Sequence, residues 1–242
     1  MSAPKKIRLQ KYLADLGVDS RRRCEQYIKD GLVRVNGKVV TRMGTTVDPA
    51  RDKVEFQRRT IRKRRGASRT LMLHKPRGYV CTTSSKEGKS VYDLLKDVPH
   101  NVVCIGRLDK KSEGLLLFSN DGELVYRLTH PSFGHSKVYH VIVSGDLDET
   151  AMERLNEPMV IDGYRTRPAR VRKLRPGEKP GRVCLEFTLQ EGRNRQIRKM
   201  CESLKLTVHR LKRVQVCDVK LGGLRAGDFR DLNAKELRKL QA

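Results

Sequence analysis

The chain has 242 residues, 37% hydrophobic and 33% charged, which is enough for one or two domains with a sizeable core. Its 53 Lys and Arg against 28 Asp and Glu leave a net charge of +25, a field suited to polyanions such as nucleic acid or an anionic membrane surface. The apolar runs, such as the LLLF at 115–118, are too short to span a bilayer, and "MSAPKKIRLQ" lacks the apolar core of a secretory signal. The expectation is a cytoplasmic, nucleic-acid-facing protein with no membrane role.

Leu9, Tyr12, Leu13 and Leu16 in "IRLQKYLADLG" follow i, i+3, i+4, i+7 and predict a helix that Gly17 ends. Ser20 is placed to cap a second helix, "RRRCEQYIKD", which stops at Gly31. "LVRVNGKVV" predicts a hairpin about a type I′ turn at Asn36-Gly37, and Val47, Val54 and Phe56 supply further strand material. Arg21, Arg22, Arg23 and Lys29 form a basic helix face suited to a phosphate backbone. "QRRTIRKRRGASRT" (57–70) has seven basic residues and no acid, and reads as a basic linker. Its Arg58 and Arg59 are candidate phosphate contacts. The expected division is 1–56, the linker 57–70, and a larger domain over 71–242.

From residue 71 the texture becomes short β-rich segments broken by turns: "LMLH", "GYVCTT", "NVVCIG", "GLLLFS", "KVYHVIVSG", "ARVRKL" and "VCLEFTLQ". Helices are predicted at "VYDLLKD", "GELVYRLTH", "ETAMERLNE" and 194–205. No doubly wound alternation is present, so the fold class is α+β, a mostly antiparallel mixed sheet flanked by helices.

Four segments bear on chemistry. "EGKS" (87–90) fails as a phosphate loop, because Thr83 stands where the leading Gly is needed. "GRLDKKSEGLLLFSNDG" places one acid, Asp109, between Arg107 and Lys110-Lys111 in a glycine-flanked connection of two strands. Spacing leaves two readings open there: a solvated charged turn, or a carboxylate kept ionised by cations as nucleophile or base. Residues 193–213 hold eight basic residues and one acid. In that stretch Ile197, Met200, Cys201 and Leu204 make an apolar helical stripe with Arg195 and Lys199 off it, and Arg193 sits at the strand-to-helix corner. Tyr139 shares a strand face with Val141 and Val143, as a core aromatic or as a ring for a substrate base. The six cysteines form no C-x-x-C pair and read as reduced thiols, and the His130, His135, His140 spacing matches no metal-binding face.

Residues 7–54 resemble the small RNA-binding domain named after ribosomal protein S-four, on "RLQKYLADLGVDSRR" and "IKDGLVRVNGKVV". "HKPRGYVCTT", "GRLDKKSEGLLLFSNDGELVYRLTHPS", "KVYHVIVSG", "LQEGRNRQIRKM" and "LKRVQVCDVKLGGLRAGDFRDL" resemble, in order, the bacterial ribosomal RNA pseudouridine synthases. That resemblance implies uridine isomerisation in ribosomal RNA, the large subunit slightly favoured, by a monomer needing no cofactor or metal. It makes Asp109 the catalytic aspartate and Tyr139 the ring stacked on the uracil. It makes Arg193 the cation paired with Asp109, while Arg107, Leu115 and Leu116 line the substrate pocket. Lys110, Lys111, Arg195 and Lys199 become RNA-facing charges. Composition and the first domain alone would equally suit a non-catalytic RNA-binding or ribosome-assembly factor.

Overall fold

A computed structural model describes residues 6–61, 68–95, 98, 102–177 and 179–241. The chain divides into two units, 1–67 and 68–242. The first unit runs β1 (Ile7–Arg8), α1 (Leu9–Asp15), α2 (Arg21–Lys29), β2 (Val33–Val35), β3 (Lys38–Val39), β4 (Thr46–Val47), β5 (Val54–Phe56) and β6 (Arg59–Thr60). The Ser20 hydroxyl caps α2 by accepting from the Arg23 amide at 3.3 Å. Asn36 and Gly37 both take positive φ, 50° and 79°, as the β2–β3 hairpin turn requires. Leu9, Leu13, Cys24, Ile28, Val33, Val47 and Val54 close a small core of their own.

The expected linker 57–70 is trimmed at both ends. Gln57 and Arg58 form a left-handed turn that returns Arg59 and Thr60 to pair with β5, so they belong to the sheet of the first unit. At the other end Thr70 already opens the first strand of the second unit.

The second unit runs β7 (Thr70–Lys75), β8 (Val103–Ile105), β9 (Glu113–Ser119), α3 (Gly122–Thr129), β10 (Lys137–Ser144), α4 (Glu149–Asn156), β11 (Val160–Ile161) and β12 (Tyr164–Arg165). It continues β13 (Arg170–Pro176), β14 (Arg182–Leu189), α5 (Gln196–Ser203), β15 (Thr207–Val216), β16 (Val219–Lys220), β17 (Phe229–Asp231) and α6 (Ala234–Gln241). Its sheet has the order β13-β14-β10-β15-β9-β7-β17, with β8 also on β9 and β16 on β15. Among the described residues every neighbour in that sheet is antiparallel except β9 with β15.

β9 is buried along its whole length because both of its faces are covered. Leu116 and Phe118 join one core with Tyr139, Val141, Phe187 and the apolar stripe of α5. Leu115 and Leu117 join the other, with Leu124, Leu128, Leu232 and Leu240.

Three expectations needed correction. "GYVCTT" makes no strand, only an isolated bridge from Val80 to Ser90. "VYDLLKD" is a single 3₁₀ turn, Val91–Leu94, fixed by a capping box of Ser90 and Asp93. The central ten-residue strand β15 is not expected from the sequence, where its residues count only toward the basic stretch 193–213, since His209, Arg210, Lys212 and Arg213 hide its alternation.

Candidate active site

Asp109 lies in the connection from β8 to β9, exposed at the tip of a turn built from the inside. Lys75, at the end of β7 and 0% exposed, drives its ammonium under that turn. Its Nζ donates to the carbonyls of Pro76 (3.1 Å), Asp109 (3.1 Å) and Ser112 (2.7 Å). All three ammonium protons are thereby used. Burial pushes the Lys75 pKa down, opposed by the Cys81, Asp109 and Glu113 charges nearby. The Ser112 amide donates to the Asp109 carbonyl at 3.0 Å, and the Gly78 amide to the Lys110 carbonyl at 2.7 Å, completing the lock. The Asp109 carboxylate itself makes no hydrogen bond or ion pair among the described residues.

The guanidinium facing this turn belongs to Arg198, on α5. Its Nη2 donates to the Lys111 carbonyl at 3.2 Å and lies 3.4 Å from the Ser112 hydroxyl, while its Nε is buried without a partner. Burial lowers the Arg198 pKa, and the Asp109 charge opposes that shift. Arg193 does not pair with Asp109. Its guanidinium lies 3.4 Å over the ring of Tyr164, its amide donates to Gln196 at 3.1 Å, and the Tyr164 hydroxyl donates to Glu191 at 3.3 Å. Those ties hold Arg193 on the β11–β12 hairpin. Arg198 carried a sequence signal of its own: it is three residues before buried Cys201, on the flank of the apolar stripe rather than opposite it.

Tyr139 is brought to the turn by strand order. On β10 it stands opposite Arg213 of β15, and Arg213 stands opposite Gly114 of β9, five residues beyond Asp109. A Cβ on Gly114, whose φ is +109°, would meet the Arg213 carbonyl oxygen at 2.2 Å, so only glycine lets the two strands meet here. Tyr139, 8% exposed, shares its core with Leu108 and Leu116. Leu116 therefore lies on the Tyr139 side, and Leu115 on the opposite one.

The remaining expected contacts divide. Arg21, Arg22, Arg23, Lys29, Arg58 and Arg59 are exposed on the first unit, and Arg107, Lys110, Lys111 and Arg195 on the second. Lys199 is half-buried and pairs with Asp162.

An exposed carboxylate on a turn held by cations, with Leu108 just before it packed in the core that contains Tyr139, suits chemistry on a flipped nucleotide. The comparisons agree. The family described as RNA pseudouridylate synthase matches residues 69–203, and an S4 domain matches residues 7–52. The chain belongs to the RNA pseudouridylate synthase family. It is 37% identical over 236 residues to a protein of Bacillus subtilis named ribosomal large subunit pseudouridine synthase B, covering 97% of this chain and 96% of that one. It is 35% identical over 232 residues to the dual-specificity RNA pseudouridine synthase RluF of Escherichia coli, covering 96% and 77%. A crystal structure described as a pseudouridylate synthase superposes with a TM-score of 0.67 at 26% identity, over 97% of this chain and 99% of that chain.

Proposed function

We propose that this chain isomerises uridine to pseudouridine in ribosomal RNA, the large subunit being its favoured target, and that Asp109 carries the chemistry. The observation behind this is the Asp109 carboxylate, unpaired and exposed on a turn that Lys75 clamps from beneath. The names of the Bacillus subtilis and Escherichia coli relatives support the substrate class.

The reaction breaks the bond from N1 to C1′, turns the uracil and rejoins it through C5. The C5 proton leaves and N1 gains one, so no oxidant or group donor is consumed. A carboxylate at the ribose assists cleavage, by attack at C1′ or by taking the 2′ proton. Arg198, whose guanidinium bonds the Lys111 carbonyl two residues beyond Asp109, takes the place at the turn first expected of Arg193. Tyr139, with Leu108 and Leu116, supplies the apolar surface that retains the detached base. Flipping the uridine out costs about a few kcal/mol. Phosphate contacts from α2 and from Lys110 and Lys111 offset that cost. Action as a cytoplasmic monomer is part of the same reading, and the absence of a disulfide among the six cysteines supports the compartment.

Tritium release from C5-labelled ribosomal RNA tests it. Asp109→Ala should keep RNA affinity and end release. Undiminished release would refute Asp109 as the group that carries the chemistry, and a wild-type protein that binds RNA without any release would leave a non-catalytic RNA-binding role.

A further inference from the structure

A group of surface rings on the second unit adjoins a cationic groove, and the isomerisation uses neither feature. Tyr126 on α3 is 55% exposed and Phe133 is 44% exposed, the only exposed tyrosine and phenylalanine side chains among the described residues. Leu124 and Leu128 turn the other side of α3 into the core, which leaves Tyr126 facing outward. A 3₁₀ turn, Pro131–Phe133, follows α3 and brings the Phe133 ring edge-on to Tyr126, centroids 6.0 Å apart. His130 lies 5.1 Å from Tyr126 and 6.2 Å from Phe133, and its Nδ1 accepts from the Ser132 amide at 3.3 Å. His135 stacks on Phe133 at 6.0 Å with the planes 13° apart. In a chain that is only 5% aromatic, these rings held in mutual contact form a platform for flat, apolar groups.

Cations border the platform. Arg167 is exposed, and its Nη1 lies 3.6 Å from where a Cβ on Gly134, the residue after Phe133, would stand. The Nδ1 of His135 lies 3.4 Å from the Cys217 sulfur, and the Cys217 carbonyl accepts from Gln215 at 2.6 Å. Gln215 in turn lines a groove of about 500 Å³ on the outer face of β10, β14 and β15. Alternation on β10 sends Val138, His140 and Ile142 to this groove and Tyr139, Val141 and Val143 to the core on the opposite face, so the groove is separate from the surface offered to the uracil. Val138, Ile142 and Leu221 give it apolar walls, while Arg175, Lys212 and Lys220 line it with no ion pair among the described residues. Its acid, Glu186, is already bound to Arg172 at 2.7 Å. The groove therefore presents positive charge to an arriving chain.

We propose that this surface binds a single-stranded segment of the RNA substrate, with bases stacked on Tyr126 and Phe133 and phosphates held by Arg167, Lys212 and Lys220. Exposed rings match unpaired bases, because every base has a flat face and a duplex keeps its bases in their own stack. The cations match the phosphates that join those bases. A peptide would have to place acids and apolar side chains in register to meet both features, whereas single-stranded RNA carries both in every nucleotide. The bound segment lies outside the uridine that reacts, so this surface selects the RNA and not the base. The proposal takes its ligand from the RNA reading above and does not depend on Asp109.

The chain has no tryptophan, so Phe133→Trp keeps a ring in place and makes it the one such fluorophore in the full-length protein. A single-stranded RNA decamer of mixed sequence should quench its emission, and the same decamer annealed to its complement should not at equal concentration. In that background Tyr126→Ala should raise the decamer concentration at half-quench about fivefold to a hundredfold, the loss of one base stack. Lys212→Gln with Lys220→Gln should lower the log–log salt slope by about 1.4, two single-strand contacts at about 0.7 each. The tryptophan reads only its own surroundings, so RNA held on the first unit does not enter the signal. Emission that does not change with decamer would overturn the proposal and leave the rings to a protein partner. Equal quenching by the duplex, a midpoint that Tyr126→Ala leaves unmoved, or a slope that the lysine substitutions leave unmoved would overturn it as well. Tritium release by the unsubstituted protein is measured beside the titration, and quenching without release would keep this surface and count against the uridine reading.

Discussion

Lys75→Met separates what holds the Asp109 turn from what binds RNA. The methionine fills most of the volume of the lysine stem and removes only the ammonium. The Asp109 carbonyl keeps a second donor, the Ser112 amide at 3.0 Å. The carbonyls of Pro76 and Ser112 lose the lysine bonds of 3.1 Å and 2.7 Å. Each buried carbonyl left short of a donor costs about 1–3 kcal/mol, part of it returned because a buried charge is no longer desolvated. A net loss of about 2–4 kcal/mol follows, or roughly 5–15 °C in the melting temperature for a unit of this size. The turn carrying Asp109 then relaxes, and turnover should drop about a hundredfold if the carboxylate moves by about 1 Å. RNA affinity should not change, since Lys75 is 0% exposed. Thermal melts, filter binding and tritium release on one preparation read all three. Wild-type stability and turnover in the variant would refute the clamp, and lost affinity would mean that the lysine acts through RNA.

Arg198→Ala should reduce turnover about a hundredfold and Arg193→Ala less than about tenfold, because only Arg198 lies against the Asp109 turn. The reverse order would restore Arg193 as partner. Gly114→Ala should cost at least about 4 kcal/mol by denaturant titration, because a Cβ would meet Arg213 oxygen at 2.2 Å in a left-handed backbone. A loss under about 1 kcal/mol would show that β9 and β15 can separate cheaply. Burial pulls the pKa values of His74, His135 and His140 below the ordinary 6.5, so the unfolded chain takes up protons that the native chain refuses. Stability is full above about pH 6.5 and falls as pH drops through the native values, so urea midpoints that stay flat from about pH 7 to pH 5 would contradict this.

Local patterning made β9, β10, β14 and the helices of the first unit legible, because their burial repeats with the period of the element. It failed at β15, where Arg213 occupies an interior position that charge alone assigns to the surface. The same failure explains the site. Asp109 looked like an ordinary charged turn because the groups that define it, Lys75, Arg198 and Arg213, come from strands and a helix remote in sequence. Only the ordered family segments singled it out, and they brought Arg193 with it, whose corner position says nothing of Tyr164.

The excess of cations therefore does two different jobs, and composition cannot separate them. Lys75 gives all its protons to backbone carbonyls, and Arg213 gives its Nε proton to the Leu115 carbonyl at 2.7 Å, so neither is available to a phosphate. Lys199 is engaged with Asp162. Arg21, Arg22, Arg23, Lys110 and Lys111 remain exposed and are cations from which RNA affinity should be sought. Asp109 is the converse case. With the nearby Lys75 and Arg198 bonded to carbonyls, its carboxylate is not consumed by an ion pair among the described residues, which leaves it open to an arriving substrate.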